Sequence, residues 1–270
     1  MPGLIRPDSI NVAQPVDWTH PLNRGTVGWW LNLGGPPVKG QLLRDLRGRS
    51  HGTRTNGAAW AGPKGRPGAW GSVFFDGSDD YVDVGTSSLF TLDKFTVSAW
   101  VFLTVGDINC MAVAHGDDVA TGGYLIYYNS GGYYQFLAGG GSYSTAATAT
   151  VGQWDMLTAT FDGTTASLYR GPGLLDDSPD SVGVYVPADL TLRIGRQLSS
   201  VAPQYDFPWN GYIDDVHIWN RALSKDDVQH YYDLSRRGYP GLLNRSRLVV
   251  GGFARSKPFR GSLPLLGVGR

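Results

Sequence analysis

A strand-like run that leads directly into a helix start, in residues 211–224, constrains the fold of this chain more than any other feature. The run ends near Trp219, and Ser224 is followed three residues later by Asp227, which is the pattern of a capped helix start. We therefore predict a short helix over residues 225–234. Few folds close with a long strand and then one short helix, so this order restricts the architecture.

The rest of the sequence predicts many short strands joined by tight turns. It contains 38 glycines and 16 prolines in 270 residues, together with many aromatic and β-branched residues. Polar and apolar residues alternate with period two in 80–84 and 165–169. Because all-β domains of about 200 to 250 residues are common, we expect one large sandwich.

Several segments, in a fixed order, carry a family resemblance. They are residues 27–31, 45–52, 73–84, 95–101, 154–163 and 211–224. The series resembles the laminin-G-like branch of the concanavalin A-like lectin and glucanase superfamily over roughly residues 25–235. This resemblance implies an all-β fold, a two-sheet antiparallel jelly-roll sandwich with one short C-terminal helix. The fold occurs in lectins, enzymes, adhesins and structural proteins, so it does not fix the function.

The two ends differ from the middle of the chain. We expect an extended N-terminal arm over 1–24, a jelly-roll domain over 25–235 and a basic C-terminal arm over 236–270. The last segment holds eight basic and no acidic residues, so the zero net charge hides an excess of eight acidic residues in 1–235. The predicted assembly residues of this arm are Arg236, Arg237, Arg245, Arg247, Arg255, Lys257 and Arg260. A basic arm favours an anionic partner, which can be a nucleic acid, an acidic protein surface or an anionic membrane, and a solvated disordered tail remains the alternative. The acidic excess argues against nucleic-acid binding by the sandwich itself.

The acidic residues argue against catalysis. All 23 of them are aspartate, so the paired glutamates of the glucanase relatives are missing. Asp214 and Asp215 are neighbours on a predicted strand, where consecutive side chains point to opposite faces. The sequence also lacks the nucleophile elbow, the phosphate loop and the zinc-protease motif. We therefore predict a protein that is not an enzyme, and we expect Cys110 to be a buried, inert thiol.

A structural calcium ion is the one cofactor that the family resemblance implies. Relatives often hold calcium with acidic residues at the positions of Asp45 and Asp214, and calcium prefers such oxygen ligands. The alternative is that Asp45 makes a turn and that Asp214 bonds to backbone amides. Both interpretations stay open at the level of sequence.

Glycan binding is the function that the fold favours, because sugars stack on aromatic rings and hydrogen-bond to polar side chains. We expect a hairpin around residues 129–132 with surface residues beside it. The candidate glycan-binding residues are Tyr128, Tyr133, Gln135, Tyr205 and Trp209. The alternative is that these residues fill a core or a subunit interface. Trp100, Trp154 and Trp219 are expected to be packing residues.

The start of the sequence shows no signal-like pattern, and no run of about 18 apolar residues predicts a membrane span. Residues 15–30 resemble the start of phage-encoded members of the family. We therefore expect a structural component of a bacteriophage virion, made in the host cytoplasm. It would decorate the particle or support attachment to host glycans, in an oligomeric assembly with other virion proteins contacted through the arms. The alternative is a free carbohydrate-binding lectin module.

Overall fold

The computed structural model describes residues 16–32, 42–62, 66–69, 71–106, 108–116, 123–139, 141–174, 180–181, 185–197 and 206–243. Within these ranges the chain forms two antiparallel sheets and one α-helix, as the jelly-roll prediction requires.

The strands of the first half are β1 (Thr26–Trp30), β2 (Leu42–Leu43), β3 (Gly52–Thr55), β4 (Ala59–Ala61), β5 (Ser72–Asp76), β6 (Tyr81–Thr86), β7 (Phe95–Leu103) and β8 (Cys110–His115). Those of the second half are β9 (Tyr124–Tyr128), β10 (Tyr133–Ala138), β11 (Gly141–Thr148), β12 (Trp154–Phe161), β13 (Thr165–Arg170), β14 (Gly173–Leu174), β15 (Asp180–Ser181), β16 (Thr191–Ile194) and β17 (Asn210–Trp219). The helix is α1 (Lys225–Arg236).

Each sheet combines strands that are far apart in the sequence. Among the described residues, the first sheet has nine strands in the order β14-β13-β12-β7-β17-β5-β4, with β1 paired to β17 and β15 paired to β13. The second has eight strands in the order β11-β10-β9-β8-β16-β6-β3-β2. The chain changes sheets between β5 and β6, so the loop joining these strands lies at the edge of the sandwich.

The main core lies between the two sheets. Along β12, Leu157, Ala159 and Phe161 point into it, whereas the alternate residues point outward, as the strand periodicity predicts. Cys110 is also part of this core, which confirms its predicted burial, and burial raises the pKa of its thiol far above the ordinary value.

A second apolar cluster lies on the outer face of the nine-stranded sheet, under α1. The Ser224 side chain accepts from the Asp227 backbone nitrogen and the Asp227 side chain accepts from the Ser224 nitrogen, so the capping box forms. The buried helix residues Val228, Tyr231 and Leu234 pack in this cluster. The predicted helix is confirmed, and it extends two residues beyond its expected end.

The described structure begins and ends inside the segments predicted as arms. Arg236 is the last residue of α1, and the Arg237 guanidinium Nε donates to the Asp233 carbonyl oxygen at 2.9 Å. Val16 pairs with Leu243, and both are buried in the cluster under α1. The assignment of 16–24 and 236–243 to extended arms is therefore wrong, because their apolar residues have a sheet face to cover. The other basic residues predicted for assembly, from Arg245 onward, lie outside the described residues.

Candidate functional site

The structure buries three of the five residues predicted to contact a glycan. Tyr128 lies in the core and is 2% exposed, and Trp209 is 0% exposed, with its indole nitrogen donating to a β7 carbonyl at 3.3 Å. Gln135 is 8% exposed on the outer face of β10. Tyr133, at 36%, is accessible, and Tyr205 lies outside the described residues.

The predicted hairpin around residues 129–132 is nevertheless confirmed, since β9 and β10 pair directly. Tyr128 lies opposite Tyr134, and both side chains point into the core. The prediction of a surface position for Tyr128 was wrong because consecutive aromatic residues show no alternation from which the buried face can be read.

The Asp45 side chain stabilises a turn by accepting hydrogen bonds from backbone nitrogens. Its Oδ1 accepts from the backbone nitrogens of Trp29 and Arg47 at 2.9 and 3.0 Å. Its Oδ2 accepts from those of Arg49 and Ser50 at 2.9 and 3.2 Å. With both carboxylate oxygens satisfied by backbone donors, the turn interpretation of Asp45 is confirmed.

Asp214 faces a cation supplied by the protein itself. Its Oδ2 lies 3.2 Å from Arg66 Nε, and its Oδ1 accepts from the Asn32 backbone nitrogen at 3.2 Å. Both side chains of the ion pair are 0% exposed. Asp45 and Asp214 therefore do not fit a shared calcium site, because four backbone donors satisfy Asp45 and the Arg66 guanidinium lies beside Asp214.

A β-bulge brings Asp214 and Asp215 together, against the prediction that they point to opposite faces. The pairing of β17 with β7 shifts between Asp214 and His217, and Asp215 has a φ of 56°. Asp215 Oδ2 consequently lies 3.4 Å from Arg66 Nη2. Asp215 also accepts hydrogen bonds from three buried side chains, those of Trp29, Tyr231 and Tyr239.

This buried cluster carries two carboxylates for one guanidinium. Burial raises the pKa of Asp214 to about 7, and the neighbouring Asp215 adds to that effect while Arg66 opposes it. Burial also raises the pKa of Asp215. Since these side chains are buried under α1, the cluster links the helix region to the sheet.

A row of four aromatic side chains crosses the same outer sheet face, at the end that α1 does not cover. Phe74 of β5 lies opposite Tyr212 of β17, Tyr212 lies opposite Phe102 of β7, and Phe102 lies opposite Trp154 of β12. Successive ring centroids are 5.1, 5.6 and 5.6 Å apart. All four side chains are partly exposed. We call these four residues the aromatic row.

Gly211 sets the close approach of the strands that carry the middle of the aromatic row. Its φ is 139°, and a Cβ at this position would lie 2.0 Å from the Phe102 carbonyl oxygen. Only glycine fits this backbone geometry without displacing β7. The sequence therefore places Tyr212 directly against Phe102.

A row of polar side chains runs beside the aromatic row on the same face. Asp76, Asn210 and Thr104 each lie two residues from a member of the aromatic row, so they point to the same side of the sheet. Asn210 Nδ2 donates to the Asp76 carbonyl oxygen at 3.2 Å, and Thr104 donates to the Asn210 carbonyl oxygen at 3.1 Å. Asp76 and Thr104 are exposed. The combined surface offers aromatic faces beside carboxylate, amide and hydroxyl groups.

This surface was not predicted from the sequence. Trp154 was predicted to be a packing residue, as Trp100 and Trp219 are, and it does pack against the cluster under α1, but it also stays partly exposed. The sequence does contain a signal for this surface, because each of four strands carries an aromatic residue at a position whose side chain points outward. That signal becomes specific only when the strand order is known, because the members are distant in the sequence.

The described residues contain no helix that meets the length and hydropathy of a membrane span.

Two of the similar solved structures come from a sialidase and an arabinanase. A mutant of Trypanosoma rangeli sialidase displaying trans-sialidase activity is 15% identical with a TM-score of 0.61, over 80% of this chain and 34% of that one. Domain 4 of AbnA, a GH43 extracellular arabinanase from Geobacillus stearothermophilus, in complex with arabinotriose, is 16% identical with a TM-score of 0.56, over 76% of this chain and 97% of that one. This chain thus spans about a third of the sialidase. At these identities the likeness shows the fold alone.

These likenesses correct the prediction that the protein is not an enzyme. The sialidases and the arabinanase are glycosidases that contain this fold. Missing glutamates and missing motifs therefore do not separate this chain from enzymes.

No curated protein matches the chain. A sequence profile of the concanavalin A-like lectin/glucanases superfamily matches residues 76–229, which is more than half of the chain. The chain belongs to the concanavalin A-like lectin/glucanases superfamily.

Proposed function

We propose that this chain binds glycans and that the aromatic row is its ligand platform. The observation that carries the proposal is the continuous, partly exposed row of four rings with a parallel row of polar groups. Contiguous apolar surface rimmed by polar residues is typical of a binding site on a soluble domain.

The chemistry of the surface suits a sugar. A pyranose or furanose ring has an apolar C–H face, which packs on an aromatic ring, and hydroxyl groups at its edge. Asp76 accepts hydrogen bonds, and Asn210 and Thr104 both donate and accept them. A ligand lying on the rings therefore has its hydroxyl groups within reach of the polar row.

The length of the row favours an oligosaccharide over a single sugar. Neighbouring strands are about 4.8 Å apart, so four strands span about 14 Å. The ligand would run across the strands from Phe74 to Trp154, with successive sugar rings near successive aromatic rings. The arabinotriose complex of the similar AbnA domain supports an oligosaccharide as ligand class.

A glycan array tests the proposal. The array would carry sialylated glycans and arabino-oligosaccharides, since the similar structures come from a sialidase and an arabinanase. Wild-type protein should bind at least one glycan class, and Tyr212→Ala and Trp154→Ala should each weaken binding about tenfold or more. Tyr133→Ala is the matched control, because Tyr133 is an exposed aromatic residue on the other sheet. Absence of binding to any glycan would refute the proposal.

A subunit interface is the second explanation of the aromatic row, since tyrosine and tryptophan are also enriched at interfaces. Light scattering coupled to size exclusion separates the two explanations. If the row is an interface, Trp154→Ala should convert an oligomer to a monomer. If the row binds glycans, the variant should keep the wild-type mass.

The role in a bacteriophage virion stays a prediction, as do the virion location and the virion partners. The segments on which it depends, 1–15 and 244–270, lie outside the described residues. Crosslinking mass spectrometry on native material tests it through Lys257, which offers a reactive amine. Reproducible crosslinks to capsid or tail proteins would support the virion role, and their absence would favour a free lectin module.

A further inference from the structure

Three carboxylates meet where β5 ends and the loop to β6 begins, at the edge of the sandwich. Asp76, Asp79 and Asp80 each place one oxygen within 4.8 Å of the others. Two oxygens bound to one calcium ion lie at most about 5 Å apart, because each bond is about 2.4 Å long. The three oxygens are therefore close enough to share one ion.

Asp80 gives an independent indication of a missing partner. It is 2% exposed, its Oδ2 accepts from the Asp76 backbone nitrogen at 3.0 Å, and its Oδ1 is buried without a hydrogen-bond partner in the described part of the chain. A buried carboxylate oxygen without a partner is costly.

Arg196 contacts this loop without a salt bridge to any of the three carboxylates, and its charge is paired elsewhere. Arg196 Nη1 donates to the backbone carbonyl oxygen of Asp79 at 2.9 Å, and its Nη2 pairs with Asp206 at 2.6 Å. The salt bridges among the described residues involve other carboxylates than Asp76, Asp79 and Asp80. Three carboxylates thus lie close together without a salt bridge to any cation in the described part of the chain.

We propose that Asp76, Asp79 and Asp80 bind a divalent cation, with calcium as the preferred ion. The ligands are hard oxygen atoms, and their loop position suits the flexible coordination of calcium better than the strict octahedron of magnesium. Asp80 supplies the buried ligand, and the exposed Asp76 and Asp79 close the site from the solvent side, with water completing the shell. The site differs in position and residues from the pair Asp45 and Asp214.

The site adjoins the aromatic row. Asp76 lies two residues after Phe74 on the same strand, so a bound ion would lie beside one end of the row. The inference does not depend on glycan binding, because the metal alone is the probe that tests it.

Isothermal titration of calcium chloride into chelator-treated protein tests the site. Wild-type protein should bind one calcium ion with a Kd of about 0.1 to 1 mM, the range of exposed oxygen sites. Asp79→Asn should weaken binding at least about tenfold, because it removes one of three anionic ligands. Asp79 is exposed, so the substitution keeps the fold. Asp93→Asn, which changes an exposed carboxylate outside the group, should bind as wild type does.

Thermal unfolding of Asp80→Asn gives a second readout. In chelator the variant should melt at or above the wild-type temperature, since a buried negative charge is removed. Added calcium should raise the melting temperature of the wild type and leave that of the variant unchanged. The proposal is overturned if calcium gives no binding heat with the wild type, or if Asp79→Asn and Asp80→Asn bind it as tightly as Asp93→Asn.

Discussion

The substitution Asp214→Asn tests the account of the buried charge cluster, because it removes one carboxylate and keeps the side-chain shape. Asp214 is fully buried, and its pKa rises to about 7 from the ordinary value of 3.8. Between these two values the native state holds a proton that the unfolded chain has lost. The stability that this proton contributes is complete below about pH 4 and is lost as the pH rises through about 7.

The size of the effect follows from the two pKa values. They differ by about 3, and each unit corresponds to about 1.4 kcal/mol of stability. The wild type should therefore lose about 3 kcal/mol from this group between about pH 4.5 and pH 7.5. Asparagine does not titrate, so the free energy of unfolding of Asp214→Asn relative to the wild type should rise by this amount over the same range.

Urea denaturation followed by tryptophan fluorescence at several pH values measures this difference. Asp162→Asn is the control, because backbone N–H donors of Thr165 and Thr164 lower the pKa of Asp162. Above about pH 4.5 the Asp162 carboxyl group is ionised in both the native and the unfolded state. The difference in the free energy of unfolding between Asp162→Asn and the wild type should therefore stay constant. If the difference in the free energy of unfolding between Asp214→Asn and the wild type changes by less than about 0.5 kcal/mol over this pH range, the reasoning is refuted.

Three further substitutions probe local geometry, each measured by urea denaturation. Gly211→Ala should cost more than about 2 kcal/mol, because its Cβ would meet the Phe102 carbonyl oxygen at 2.0 Å; a cost below about 0.5 kcal/mol would contradict the close approach. Asp45→Ala should cost about 2 to 4 kcal/mol, since several backbone donors lose their acceptor. The same cost should appear with calcium and with chelator, and a cost confined to calcium-loaded protein would restore the calcium site. Ser224→Ala should cost about 1 kcal/mol through loss of the helix cap, and an unchanged stability would show that the capping box contributes nothing.

The features that depend on neighbouring residues were predictable from the sequence. The strand ending at Trp219 and the helix beginning after Ser224 rest on local alternation and a capping box, and both are confirmed. The hairpin between β9 and β10 rests on a local turn signal and is also confirmed. The family resemblance fixed the two-sheet architecture because it covers most of the strands.

The features that depend on distant pairing were not predictable. The bulge after Asp214 turns Asp215 toward Arg66, which lies about 150 positions earlier in the sequence. No local sequence pattern predicts that contact. The aromatic row likewise requires four strands from separate parts of the chain to lie side by side. Tyr128 and Trp209 were misplaced for the same reason, since their burial depends on the opposite sheet.

The most direct test of glycan binding at the aromatic row is a calorimetric titration of the strongest array ligand into three proteins. These are the wild type, Tyr212→Ala and Tyr133→Ala. We predict that Tyr212→Ala binds at least about tenfold more weakly than the wild type and that Tyr133→Ala binds equally well. Weaker binding by Tyr133→Ala, with unchanged binding by Tyr212→Ala, would contradict the account and place the site on the other sheet.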